Sequence, residues 1–408
     1  MRNRWMTRLR PAVAVALLCG AATAARAADQ ELLDKIKALE QRITQLEGSA
    51  LTTNSLPTQT LAFLGKSTLS GYVSASFFHS FNDSAPVAGY VNKNDQFAFN
   101  KLKLALEKPV DYNKDKFDVG YRADVVIGED AKILHSQGLG NPGEPFELTQ
   151  GFININVPIG NGLKIQLGKM VTLMGMEVVE ETVNPNWTLG NQFLYVENTA
   201  QTGALLSYRF NDKVEAQLAI FNGWDRAVNV VPNNPHTALS YMGKVNLTLS
   251  DKTSVSVLGY GGSEQNGPAG GSGNWRKGGE VILTQKVGSK LTIYAQGDYG
   301  QEDHVGTVND ADWYAAGLWG VYQFSDKVAL AVRGDFLVDN GATRTGFGPA
   351  GSTPNVLSLT TTLNLSPIPN LQVRPELRWD HCSKEAYTSK STAKSDQILL
   401  GVGVAYLF

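Results

Sequence analysis

Polar and apolar residues alternate with a period of two through most of this chain. Between 117 and 127, Phe117, Val119, Tyr121, Ala123, Val125 and Ile127 alternate with Asp118, Gly120, Arg122, Asp124 and Val126. Side chains of an extended strand point alternately to its two faces, so this stretch predicts a strand with one apolar and one charged face. Leu371, Val373, Pro375, Leu377 and Trp379 alternate in the same way with Gln372, Arg374, Glu376, Arg378 and Asp380. Leu102, Leu104 and Leu106 stand against Lys101, Lys103 and Glu107, and Val214, Ala216, Leu218 and Ile220 against Glu215 and Gln217. The second face carries charge again and again.

Turn signals divide the strands unequally. Tight turns are expected at Asn211-Asp212-Lys213, Ser250-Asp251-Lys252, Gly288-Ser289 and Ser325-Asp326-Lys327, with a proline-containing one from Pro367 to Asn370. They recur about every 40 residues, one per hairpin. Between them lie longer Gly-, Asn- and Pro-rich stretches at 225–237, 264–275, 301–311, 339–353 and 383–395, which are expected to be loops. Strands beginning near 67, 96, 163, 253, 312 and 396, with those between, total about sixteen, each long enough for the roughly 9 to 11 residues of a tilted membrane-spanning strand. An even number of antiparallel strands, with short turns at one end and long loops at the other, predicts a transmembrane up-and-down β-barrel over 67–408. A sandwich or a propeller would also alternate, so the placement of aromatics matters. Trp224, Tyr299, Trp313 and Trp379 lie beside long loops, and Phe117, Phe210, Phe324 and Phe408 beside short turns, as two interfacial girdles would require.

The amino terminus has a different pattern. Arg2, Arg4, Arg8 and Arg10 precede an apolar run from Ala12 to Ala22, and Ala25-Arg26-Ala27 supplies small residues for cleavage after Ala27, so 1–27 reads as a signal peptide. Residues 28–48 carry Leu32, Ile36, Leu39, Ile43 and Leu46 at alternating spacings of four and three, the seam of a short coiled coil that would lie in the periplasm. Packing on the body of the protein is the alternative use of that seam. Residues 49–66 lack periodicity and read as a linker.

Composition narrows the classes further. The chain has 408 residues, 36 basic and 38 acidic side chains, 41 glycines and two cysteines. Loss of the signal peptide removes five arginines, leaving 31 basic against 38 acidic groups and a formal charge of −7. No concentrated basic excess is present, which argues against nucleic acid as a partner. Cys19 leaves with the signal peptide and Cys382 is then alone. Histidines 79, 135, 236, 304 and 381 are scattered, with no HExxH spacing and no Cys/His cluster, so no metal site or cofactor is expected. Nucleophile elbow, P-loop and dinucleotide motifs are lacking, so an enzyme is not expected.

Gly71-Tyr72-Val73, Gly151-Phe152-Ile153-Asn154, Val157-Pro158-Ile159-Gly160-Asn161-Gly162-Leu163, Leu167-Gly168-Lys169 and Asn222-Gly223-Trp224-Asp225 together resemble the beta-barrel porin-2 (OmpL-like) family of outer-membrane proteins. The likeness spans the barrel and implies a pore in a Gram-negative outer membrane, without naming a solute. The last strand, Ile398 to Phe408, resembles the carboxyl-terminal assembly signal of outer-membrane barrels in Tyr406 and Phe408, which implies recognition by the barrel assembly machinery. Porins with an amino-terminal coiled coil offer a further parallel, and it implies a homotrimer.

A barrel of this size leaves a water-filled lumen, and the surrounding lipid forces the apolar face outward. The lumen candidates are therefore the basic residues Lys101, Lys103, Lys164, Arg122, Arg209, Lys244, Arg333, Arg374 and Arg378, and the acidic residues Asp118, Asp124, Glu215, Asp298, Asp335, Glu376 and Asp380. Arg122, Arg333, Arg374 and Arg378 stand out, because a guanidinium stays charged and grips carboxylates in a fork. The third long stretch, 173–198, holds Met174, Met176, Val178, Val179, Trp187, Phe193, Leu194 and Tyr195, too much apolar surface for a free loop. It is expected to fold inward and resembles the constriction loop of general porins, with Glu177, Glu180 and Glu181 facing the basic wall across the pore. Such an arrangement would pass small hydrophilic solutes by diffusion. The reading from a different class is a plugged barrel serving as a surface anchor or adhesin.

Overall fold

The computed structural model describes residues 37, 66–82, 87–91, 93–112, 115–228, 239–264 and 275–408. Signal peptide, coiled-coil seam and linker lie outside the described residues, save that Lys37 is helical and Lys66 stands in a turn.

Sixteen antiparallel strands close into one barrel. They are β1 (Thr68–Ser80), β2 (Gln96–Lys108), β3 (Asp118–Ile127), β4 (Phe146–Val157), β5 (Leu163–Val171), β6 (Ala200–Asn211), β7 (Val214–Phe221), β8 (Ser240–Ser250), β9 (Thr253–Ser263), β10 (Trp275–Val287), β11 (Leu291–Val305), β12 (Val308–Ser325), β13 (Val328–Asn340), β14 (Asn355–Leu365), β15 (Leu371–Cys382) and β18 (Asp396–Leu407), with a separate hairpin of β16 (Tyr387–Ser389) and β17 (Thr392–Lys394) between the last two. Each strand pairs with its sequence neighbours, and the seam is closed by β1 against β18 in the register Val73↔Tyr406 and Phe77↔Val402. Gly71 and Phe408 exchange backbone hydrogen bonds of 3.0 and 2.9 Å at that seam. No barrel strand is left with an unpaired edge, the condition that a sheet must meet in hydrocarbon.

Burial is inverted relative to a soluble sheet protein. Leu69, Val73, Phe97, Ile153, Leu218, Val257, Leu318, Leu359 and Leu400 are exposed on the outer face. Asp124, Glu280, Arg333, Asp335, Arg374, Glu376 and Arg378 are buried inside. The phase expected from sequence therefore holds in β2, β3, β7 and β15, with charge inward and apolar residues outward.

Three expectations need correction. The stretch 301–311 is not a loop: β11 and β12 run on as a projecting hairpin, paired to Val305↔Val308 and turning at Gly306 with φ 59°. The polar run through Glu302, Asp303 and Asn309 hid this extension, because a strand with polar residues on both faces carries no apolar period. The stretch 383–395 likewise contains the β16–β17 hairpin. Trp224 and Trp313 are buried, 6% and 0% exposed, so neither belongs to an outer girdle. Tyr299, half exposed, does face outward, as do Phe117, Phe210, Phe324 and Phe408 at the other rim.

Candidate functional site

The connection between β5 and β6, residues 172–199, fills the middle of the barrel. Its apolar residues explain part of this: Trp187, Leu189 and Val196 are fully buried, and Met174, Val179 and Phe193 nearly so. Trp187 lies flat on Gly403 of β18, where a Cβ would collide with the indole ring. The other part is backbone chemistry. A chain without regular structure carries N–H and C=O groups that must find partners when buried, and here the charged wall supplies them. Glu376 accepts from the N–H groups of Trp187 (2.6 Å) and Thr188 (3.1 Å), Asp335 from Asn191 N–H (3.0 Å) and Glu280 from Gly175 N–H (2.7 Å). Arg374 donates to the carbonyls of Glu181, Asn184 and Pro185, Arg378 to that of Leu189 (2.6 Å) and Lys244 to that of Leu173 (2.7 Å). A short π-helical turn, Gln192–Val196, completes the segment.

The three acids expected at the constriction all meet bases. Glu177 pairs with Arg333 at 2.7 Å and also accepts from Trp319 Nε1 and from Gly190 N–H. Glu181 pairs with Lys101 at 2.8 Å and accepts from the Tyr72 hydroxyl at 2.9 Å. Burial works to raise the Glu181 carboxyl, but Lys101 outweighs it and holds the group below the ordinary carboxylate range. Glu180 pairs with Lys103, which also reaches Asp124 at 3.0 Å. These acids and bases thus touch instead of facing each other across water.

The remaining candidates sort by position. Arg122 forks onto Asp124 and reaches Glu107 at 3.0 Å. Together with Lys103, Glu107 and Glu180 it lines a cavity of about 680 Å³ that runs beneath the loop along β1–β5. A second cavity, about 230 Å³, lies against β11–β15 at Asn364, Gln372 and Arg374. Thr182 and Val183 line both, so this piece of loop divides the space on the short-turn side. Arg378 is bound to Asp380 at 2.8 Å. Asp118 pairs loosely with Lys108 at 3.6 Å, Arg209 with Glu215 at 3.5 Å, and Lys164 sits over the Tyr112 ring, all at the short-turn rim away from the loop.

Sequence reasoning placed Asp298 in the lumen but missed several other inward residues, Glu197 and Glu280 among them. Glu197, Glu280 and Asp298 are buried with ligand oxygens within 4.8 Å of one another, a spacing that an oxygen-liganded cation or shared protons could bridge. Arg276 forks onto Glu302 and, like Arg344, lies over the Trp224 ring. Arg276 alternates with Trp275 at the start of β10, a signal available in the sequence, whereas Glu197 and Arg344 sit in loops where no periodicity points anywhere.

Residues 66–408 match the model of the family described as "Putative beta-barrel porin-2, OmpL-like". The chain belongs to this family. Membership of this family and the closed sixteen-stranded barrel support a channel and point to a Gram-negative outer membrane. Among solved structures, the barrel is similar to OmpT of Vibrio cholerae, with a TM-score of 0.57 and 11% identity over 84% of this chain and 97% of that one. It is also similar to an anion-selective porin from Comamonas acidovorans, with a TM-score of 0.58 and 11% identity over 84% and 99%. The outer-membrane channel DcaP of Acinetobacter baumannii gives 0.56 and 10% over 84% and 97%. No protein of curated function matches the sequence.

Proposed function

We propose that this porin-family barrel is a passive diffusion channel for small hydrophilic solutes, narrowed by the loop 172–199. The observation that carries the reading is the loop itself, anchored across the lumen through Glu177–Arg333, Glu180–Lys103 and Glu181–Lys101. The cavities beside Thr182 and Val183 are the routes that the loop leaves on the short-turn side. Lys103, Arg122, Glu107 and Glu180 give the larger one a mixed-charge wall, which orients dipolar solutes. In this reading 1–27 directs export, Tyr406 and Phe408 present the assembly signal, and the amino-terminal seam supports a homotrimer; OmpT of Vibrio cholerae has been described in a trimer form.

The dense packing of Trp187 and Leu189 favours a second reading, a plugged barrel that anchors surface loops. Single-channel recording of the mature protein in a planar bilayer separates the two. Stable ohmic steps, with a reversal potential under a salt gradient, support the porin. A folded barrel that never conducts leaves the anchor.

A further inference from the structure

Eight arginines lie among the described residues of the barrel, and their partners differ. Arg122, Arg209, Arg226, Arg276, Arg333 and Arg378 each pair with a carboxylate within 3.6 Å. Arg374 has no acid partner, but three loop carbonyls close its fork. Arg344, in the connection between β13 and β14, is held in another way. Asp339 accepts from the backbone N–H groups of Thr343, Arg344 and Thr345, which fixes the turn. The side chain donates Nε to the Tyr195 carbonyl at 2.7 Å and lies between two indoles, 5.2 Å from the Trp224 ring centre and 4.9 Å from that of Trp313. Its two terminal nitrogens have no hydrogen-bond or ion-pair partner among the described residues. Stacking orients a guanidinium without cancelling its charge. Burial and the neighbouring Arg276 push this one down to about 10, against the opposing pull of Glu302 and Asp225.

Unsatisfied donors stand beside it. Trp313 Nε1 and the Tyr260 hydroxyl are buried with no hydrogen-bond partner, and both crowd Gly300, where a methyl group would strike them. The nearby acids are engaged: Glu302 in the Arg276 fork, Asp225 in bonds from Thr199 and Ala200. We propose that Arg344, stacked between Trp224 and Trp313 at the long-loop end of the barrel, is a binding site for small organic anions, carboxylates above all. The forked edge takes two oxygens, and the aromatic surround favours a ligand with a flat apolar body. This deepens the channel reading and rests on it for its purpose, since a site above the loop would concentrate anions at the mouth.

The test is calorimetric titration of the full mature protein in detergent with benzoate, using benzamide as the neutral control, alongside bilayer recordings of the same preparations. Benzoate binds wild type at least about tenfold more tightly than benzamide, and Arg344→Gln removes that difference. If Arg344→Gln fails to give a heat-modifiable barrel, Arg344→Lys serves, and it weakens benzoate several-fold because an ammonium cannot fork. Equal binding of benzoate to wild type and to either folded variant overturns the site while leaving the pore untouched. Arg344-dependent binding to a barrel that never conducts keeps the site and removes the channel.

Discussion

Arg333 shows what one inward charge does here. It bridges Glu177, the Thr188 carbonyl and the Thr360 hydroxyl, all buried. Arg333→Gln takes the cation from Glu177 and from Asp335, and removing one partner of a buried pair costs about 3–5 kcal/mol. The expected result is a lower melting temperature and a noisier, larger conductance, with unchanged strand content by circular dichroism. Glu197 makes the opposite case. Burial, followed by the charges of Glu280 and Asp298, raises its carboxyl well above the ordinary value. The folded protein therefore holds a proton that the unfolded chain has released, and the associated stability is complete below about pH 4.3 and declines as pH rises through the folded value. Loop docking should weaken from acid to alkaline pH. Glu197→Gln should flatten part of that slope in a thermal melt, and an unaltered slope would place the titration elsewhere.

At the scale of the element, the loop 172–199 depends on glycine as much as on charge. Gly403→Ala puts a methyl group into the Trp187 ring and should dislodge the loop without opening the barrel, increasing conductance while the heat-modifiable form persists. The strands themselves were legible in the sequence, because a wall with lipid on one side and charge on the other repeats every second residue. β12 began four residues earlier than expected, at Val308, where both faces are polar. Trp187 and Phe193, whose apolar bulk marked the loop in the sequence, are buried, and Glu177, Glu180 and Glu181, expected to face a basic wall across the pore, touch Arg333, Lys103 and Lys101 directly. What could not be read was who meets whom. Lys101 reaches Glu181 across 80 positions and Arg374 reaches Pro185 across 189, and neither residue type nor spacing encodes such pairings. Arg344 and Glu197 were passed over because irregular segments have no period to betray an inward side chain.

For the whole molecule, closure is the defining property. The seam needs the final residue, since Phe408 both donates to and accepts from Gly71. Deleting Phe408 should lower the yield of folded barrel in outer membranes severalfold, as measured by heat modifiability, while leaving export intact; normal yield would show that Tyr406 and the rest of β18 suffice. The loop also changes what the barrel is mechanically. Its grips on Lys101 and Lys103 of β2 and on Glu280 of β10 fall on strands half a turn apart in the ring of sixteen. A thin hollow tube squeezed from the side flattens into an oval, and the bilayer exerts such a squeeze continuously. A tie between opposite walls makes the cylinder a braced one, so the cross-section stays round and the gaps beside the brace keep their width when the membrane is compressed.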